Sequence, residues 1–574
     1  MISSKTIWTI SFSLFFAVVG LTVNGQNLAN IGQGEAVSVS GGINANQVFY
    51  TANGLEDRRD PYNYFLSGNI NLSLYGWSVP FSFTYSNQNT SFQQPFNQYG
   101  LSPTYKWVTA HLGYRSMTFS KYTLNGHLFL GGGVDLTPWN KVKVSAMYGR
   151  LQKPVELDTT ASYNVPAYKR MGGGVKVTLG GEDHKVDLIV FRAADEEESL
   201  TQDPAIAEVY PEENVVLGLG FSTKILPNLM FKGEFASSAI TEDMRAEQTE
   251  ANNVFDKLPG FQPKTSSSYY NAMNGALQYA FMNSTIGVAY ERVDPGYRTL
   301  GAYYFNNNLE NIALTHTSRW LDKKLNLNVR GGLQRNNLNK TELNSMNRLS
   351  GSAMISYQVT PRLMTNFNYS NFSTIVNFRT PEELLNQVTP YDNLDTLNYR
   401  QIAQNSNVGV NYVLGENKER RQNLNFNFAY QQTNDEQGGT QTGTGTKFYN
   451  ANAAYSMNIQ PQGLTVSVSG NMNLSQSANG DNMIFGPGLS GRKTLMQGKM
   501  SLMASLAYNN SRVVGQEANS VTNLRVGATY ALLEKHQFNL NMTAIDRYSP
   551  TNEQLARYRE FVAELGYSYN FSVR

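Results

Sequence analysis

Five histidines, His111, His127, His184, His316 and His536, are the side chains best suited to moving protons or binding a metal, and they are scattered along the chain. No pair stands at the H-E-x-x-H spacing that sets two imidazoles on one helix face, so a zinc site needs distant residues to converge. Each therefore reads as an isolated strand or turn residue. No G-x-S-x-G nucleophile elbow occurs; Gly486-Pro487-Gly488-Leu489-Ser490-Gly491 comes nearest but lacks the glycine two past the serine. The chain has no cysteine, which removes thiol nucleophiles, disulfide scaffolds and Cys-ligated metals. Gly131 to Gly133 and Gly172 to Gly174 lack the Lys-Ser/Thr and the helix of a phosphate loop, and read as bends or close packing in a wall.

Charged residues offer two further possibilities. Residues 195–213 are acidic, and Glu196, Glu197 and Glu198 read either as a solvated loop or as carboxylate ligands for calcium or for divalents bridging lipid headgroups. The alternation and glycine of an EF-hand are absent. Arg115, Lys143, Arg170, Lys176, Arg330 and Arg525 fall on polar faces together with Asp187 and Glu234. A ring of one sign would select ions, whereas this mixture predicts salt bridges along a wall. No catalytic residue, cofactor or enzyme activity is expected.

Such side chains must be positioned by strands. From about Tyr62 the apolar residues recur at every second position over segments of 9 to 16 residues. Leu66, Gly68, Ile70, Leu72 and Leu74 alternate with Ser67, Asn69, Asn71 and Ser73, and the return arm Trp77, Val79, Phe81, Phe83 and Tyr85 alternates in the same way. Leu424, Phe426, Phe428 and Tyr430 repeat the pattern far downstream, as do Leu464, Val466, Val468, Met472 and Leu474. A period of two places one face of a sheet in apolar surroundings. The other face carries Asn, Ser, Thr and Gln rather than Lys and Glu, and the strands reach the ~9–11 residues of a tilted membrane crossing. In lipid every backbone group must pair, so the sheet must close on itself. Aromatic residues near strand ends, such as Trp77 and Tyr567/Tyr569, fit interfacial girdles.

Composition agrees with this. The 574 residues are 41% hydrophobic, 16% charged and 12% aromatic, with a net charge of +2, which argues against nucleic acid as a partner. A mean hydropathy of −0.39 excludes a polytopic helical membrane protein and leaves a barrel open. Residues 1–25 read as a cleaved signal peptide: Lys5, an apolar stretch through Val19, then small Val23 and Gly25 before Gln26. Residues 26–61 form either a periplasmic segment or a first strand, and 62–574 the barrel.

Short connections, as at 180–182, 226–228 and 321–324, alternate with long ones at 91–104, 195–213, 241–266, 293–308 and 377–395. Bacterial barrels keep short turns periplasmic and long loops outside. Tyr297 to Phe305 belongs to an outer loop on this count, while the parity between 105 and 140 stays open. The fold expected is an all-β, transmembrane, antiparallel up-and-down barrel of about 24 strands, within a range of about 22–26. At ~4.8 Å spacing and ~40° tilt such a wall is roughly 45–50 Å across. A hole of that size calls for a plug, by loops such as 241–266 and 377–395 or by another protein. Thr380-Pro381 begins a short helix in the latter loop.

Near the C-terminus, Glu564-Leu565-Gly566-Tyr567-Ser568-Tyr569-Asn570-Phe571 resembles the β-signal of bacterial outer-membrane barrels. The resemblance implies that the barrel assembly machinery reads Gly566, Tyr569 and Phe571, although Ser572-Val573-Arg574 extend past the aromatic end common in that family. The Asn- and Tyr-rich strands and large size also resemble outer-membrane barrels of Bacteroidota. The expected function is an outer-membrane channel or export conduit for passive passage of solute or polymer. The alternative is a scaffold that anchors or displays a surface complex. Partners expected are outer-membrane lipid, the assembly machinery and a plug, periplasmic or surface protein.

Overall fold

The computed structural model describes residues 37–573 apart from 55–59, 88–96, 158–165, 203, 205–208, 251–253, 259, 304–305, 341–346, 375–398, 416, 438–439, 442–444, 478–479, 514–518 and 551–555. Residues 1–25 and the helix start at Thr380 lie outside the described residues.

The alternating segments form one closed antiparallel sheet. It opens with Val37–Asn53, inside the segment 26–61, and each strand pairs with its sequence neighbour round to Arg557–Val573. That last strand pairs back onto the first, from Val39 opposite Val573 to Asn53 opposite Arg559. Gln98–Leu101 and Thr104–Tyr105 are two pieces of one broken strand between Trp77–Ser86 and Val108–Thr118. Thr440–Gln441 extends Thr446–Ile459 in the same way, so the wall has 26 strands, the top of the expected range. At roughly 4.8 Å spacing and about 40° tilt, 26 strands enclose a cylinder roughly 50 Å across.

An even strand number returns the chain to the end where it began. At that end the connections are short, as at 75–76, 106–107, 140–141, 227–228 and 282–283. At the other end lie longer connections, among them 197–212, 242–266 and 294–308. The broken strand and the turn at 106–107 settle the parity between 105 and 140, and 294–308 is a connection at the long-loop end as expected.

The two faces separate as the period of two requires. Leu188, 48% exposed, and Leu314, 68% exposed, stand on the outward face with Leu112, Tyr148 and Leu333. In a closed wall this exposed apolar face is the one that meets lipid, because leaving so much apolar area in water is unfavourable. The opposite positions hold Asp135, Ser145, Asp187, Asn214 and Ser238. Among the described residues there is no α-helix, and the only helical turns are short 3-10 segments such as Glu197–Ser199.

Candidate functional site

The lumen is where the structure departs furthest from a plain tube. Two loops turn inward from the long-loop end, residues 119–124 and 294–308. Apolar side chains drive this, since Phe119, Tyr122, Leu124, Tyr297 and Leu300 join Phe129, Ile189, Phe191, Val216 and Ile240 of the inner wall in one buried cluster. The wall is shaped to receive them. A Cβ on Gly174 would lie 2.9 Å from the Phe119 ring, and one on Gly301 would lie 2.8 Å from Phe191.

Polar groups then fix the loops to each other and to the wall. The Tyr297 hydroxyl donates to the Tyr122 carbonyl at 2.6 Å, and the Thr299 hydroxyl to the Thr123 carbonyl at 3.0 Å. The Asn125 amide donates to the Gly301 carbonyl at 2.9 Å. Asn214 is fully buried on the wall. Its side-chain NH2 donates to Ser238 Oγ and the Ala239 carbonyl, each at 2.8 Å, and its Oδ1 accepts from the Leu300 amide at 3.1 Å. Lys176 Nζ donates to the Phe119 carbonyl at 2.7 Å, and Glu291 takes both Lys121 and the Tyr122 hydroxyl. Burial pushes the Tyr122 and Tyr297 hydroxyls well above the usual tyrosine range, with Glu291 adding to the effect on the first and Glu234 on the second. Beneath Phe119 and Ser120 a cavity of about 710 Å³ is lined by Lys185, Asp187, Lys232, Glu234 and Asn274.

The expected plug at 241–266 is corrected by this arrangement. Phe255 and Phe261 pack with Val215 and Ala239, against Leu217, Leu258 and Tyr269. Val215 and Leu217 share the outward parity of exposed Leu219, so this loop folds over the outside of the wall. Its phenylalanines find an apolar partner there, while the apolar patch of the inner face is already covered by residues 119–124 and 294–308. The other expected plug, 377–395, lies outside the described residues.

Of the inward charges, Arg170 forms a two-bond pair with Asp195 (2.7 and 2.9 Å) and also reaches Glu212 at 2.9 Å. Glu212 in turn accepts from Arg298 of the inward loop at 2.5 Å. Lys176 stands 3.3 Å from Asp187. Arg115 donates to Ser82 Oγ at 2.8 Å rather than to a carboxylate, while Arg330 Nε has no partner among the described residues. Arg525 is exposed, on the face opposite Leu524 and Val526. Glu196 pairs with Lys169 at 2.9 Å, and Glu197 and Glu198 form a 3-10 turn. No group of three or more His, Asp or Glu gathers as a metal site among the described residues.

Several histidines are less isolated than their spacing suggested. His127 stacks on Tyr303 at 4.1 Å, and His536 on Tyr569 at 4.6 Å. His111 bridges Ser102 Oγ, 2.9 Å from Nδ1, and Asp135 Oδ2, 3.1 Å from Nε2. Asp135 also accepts from Ser145 and faces Lys143 at 3.5 Å. Serine, imidazole and carboxylate stand in the order of an acyl-transfer relay, but through the ring nitrogens opposite to those of the usual serine hydrolase triad. Each member lies on or beside a different strand, which is why no local motif marks it.

At the closing seam, Tyr569 and Phe571 stack at 5.5 Å on the outward face near the short-turn end, with His536 donating to or accepting from Tyr567 Oη at 2.8 Å. Gly566 faces inward beside the Asn46 amide.

No family model matches the chain, and no curated protein matches it either. Among solved structures it is similar to the translocation pore of the P pilus usher PapC, at 11% identity over 94% of this chain and 100% of that one, with a TM-score of 0.37. It is similar also to the FrpB iron transporter of Neisseria meningitidis (F5-1 variant), at 11% identity over 93% and 82%, TM-score 0.38. OccAB2 of Acinetobacter baumannii matches at 8% identity over 63% and 93%, TM-score 0.29.

Proposed function

We propose that this protein is an outer-membrane conduit for passive passage of solute or polymer, narrowed by its own inward loops and performing no catalysis. The observation that carries the reading is a closed wall of 26 strands, apolar outside and polar inside, with residues 119–124 and 294–308 packed against one sector of its lumen. A sheet that only anchored a surface complex would not need so wide a polar interior. The β-signal residues Gly566, Tyr569 and Phe571 serve the assembly machinery in this proposal, and the signal peptide delivers the chain to it.

The test is single-channel recording in a planar bilayer, with a heat-modifiable gel shift to certify the closed barrel. A stable conductance is expected, and it should rise when residues 119–124 are replaced by a short glycine linker. A folded barrel that stays silent with and without that replacement overturns the reading. The absence of catalysis has its own check: a fluorophosphonate probe should leave Ser102 unmodified, and labelling lost in His111→Gln would reverse it.

A further inference from the structure

The two inward loops lie against strands between Val108–Thr118 and Leu309–Trp320, and the charged inward residues cluster in the same sector as mutual ion pairs. The rest of the inner wall has another chemistry. On Tyr399–Leu414, Arg420–Gln437, Leu464–Ser477 and Met500–Val513 the outward positions are mainly apolar, with Leu424, Phe426 and Val468 exposed, and the inward positions are mainly amides and hydroxyls, interrupted by Arg421, Ala429, Met503 and Ala507. The amides couple across strands. Asn411 Nδ2 donates to Asn425 Oδ1 at 2.6 Å, Asn407 to Asn427 at 3.1 Å, and Asn471 to Asn509 at 3.0 Å.

From this wall we infer that the cargo of the conduit is an uncharged, hydroxyl-rich chain, an oligosaccharide or polysaccharide; the inference rests on the conduit reading. A primary amide has two N–H donors and two acceptor lone pairs, and each pairing uses only one of either kind. The coupled amides therefore present both donors and acceptors to the lumen at fixed spacing. A hydroxyl is likewise donor and acceptor at once, so a chain of hydroxyls can exchange its water for this surface group by group. An ether chain offers acceptors alone and satisfies half of it. A charged polymer finds no ring of opposite sign here. Arg330, Arg421, Arg492, Arg525 and Arg547 face inward but stand singly on separate strands, with Arg492 held by Ser501 at 2.8 Å and Arg547 by the Tyr558 hydroxyl at 3.1 Å.

The experiment is current recording through the refolded full chain while linear α-glucan oligomers are added, against polyethylene glycol of matched size and a polyanionic glycan. Glucans should interrupt the current with residence times at least about tenfold longer than polyethylene glycol, the equivalent of one or two net hydrogen bonds. Asn411→Leu and Asn425→Leu should each shorten those blocks severalfold, with Asn425→Ser restoring part of the loss and the gel shift confirming that every variant is closed. A conducting barrel that treats glucan and polyethylene glycol alike, or holds the polyanion longest, overturns the inference and leaves the conduit intact. A folded barrel that never conducts overturns the conduit reading and this inference with it.

Discussion

Asn214 shows how much one inward residue can hold. Its amide joins two wall strands and an inward loop through three hydrogen bonds, all out of reach of water. Asn214→Leu keeps the volume but strands the Leu300 amide and leaves Ser238 Oγ only its bond to the Arg298 carbonyl, at a cost of roughly 1–3 kcal/mol. Protease nicking within 294–308 should quicken while the barrel itself still migrates as folded. Tyr122 and Tyr297 give the same region a pH dependence. Both are raised above the ordinary 10.0, so the neutral hydroxyl is the form favoured by folding. Their contribution is therefore complete below pH 10 and declines as pH rises beyond it. Absorbance at 295 nm should show a late-titrating fraction that Tyr122→Phe and Tyr297→Phe each reduce. Ionisation of that fraction in step with the exposed tyrosines would contradict the buried placement. Little of this was legible in sequence, because Asn214, Tyr122 and Tyr297 matter through contacts between distant segments.

At the scale of elements, period-two alternation made the strands readable wherever both faces had a settled environment. Leu66 to Leu74 and Leu424 to Tyr430 lie on strands in the register that their alternation implies. It misled where a loop carried buried apolar residues of its own. Between 105 and 140, where the parity stayed open, Phe119, Tyr122 and Leu124 add apolar residues that belong to an inward loop rather than to the wall, and Pro103 stands at the break in the preceding strand. The length of 241–266 suggested a plug but not on which side of the wall the loop packs, which Phe255 and Phe261 decide. Gly174 is the element-level counterpart of the inward loop: Gly174→Leu fills the notch under Phe119, and overpacking of this kind costs about 1–3 kcal/mol. Residues 119–124 should be displaced and the conductance raised, with the heat-modifiable shift retained. Unchanged conductance would mean that the loop does not narrow the path.

For the whole molecule, the seam decides whether there is a barrel at all. Tyr569 lies opposite Ile43, Phe571 opposite Gly41 and Val573 opposite Val39, while the Tyr50 hydroxyl donates to Glu560 across 510 positions of chain. Removing residues 567–574 should abolish the compact form on unheated gels, and adding three alanines after Arg574 should not. The closed architecture was legible from the amphipathic strands, whose backbone groups must all pair in lipid. The filled sector was not, since apolar loops inside a polar lumen leave no periodic trace. The seam also imposes an order in time. Val37–Asn53 is half of a joint whose other half is Arg557–Val573, so the edges of both strands stay unsatisfied until every strand between them is in place. Closure is thus a pairing of high contact order that no local stretch of the chain can nucleate alone. A stalled or shortened chain would present those edges as an aggregation hazard, which makes completeness of the polypeptide a checkpoint written into the wall itself.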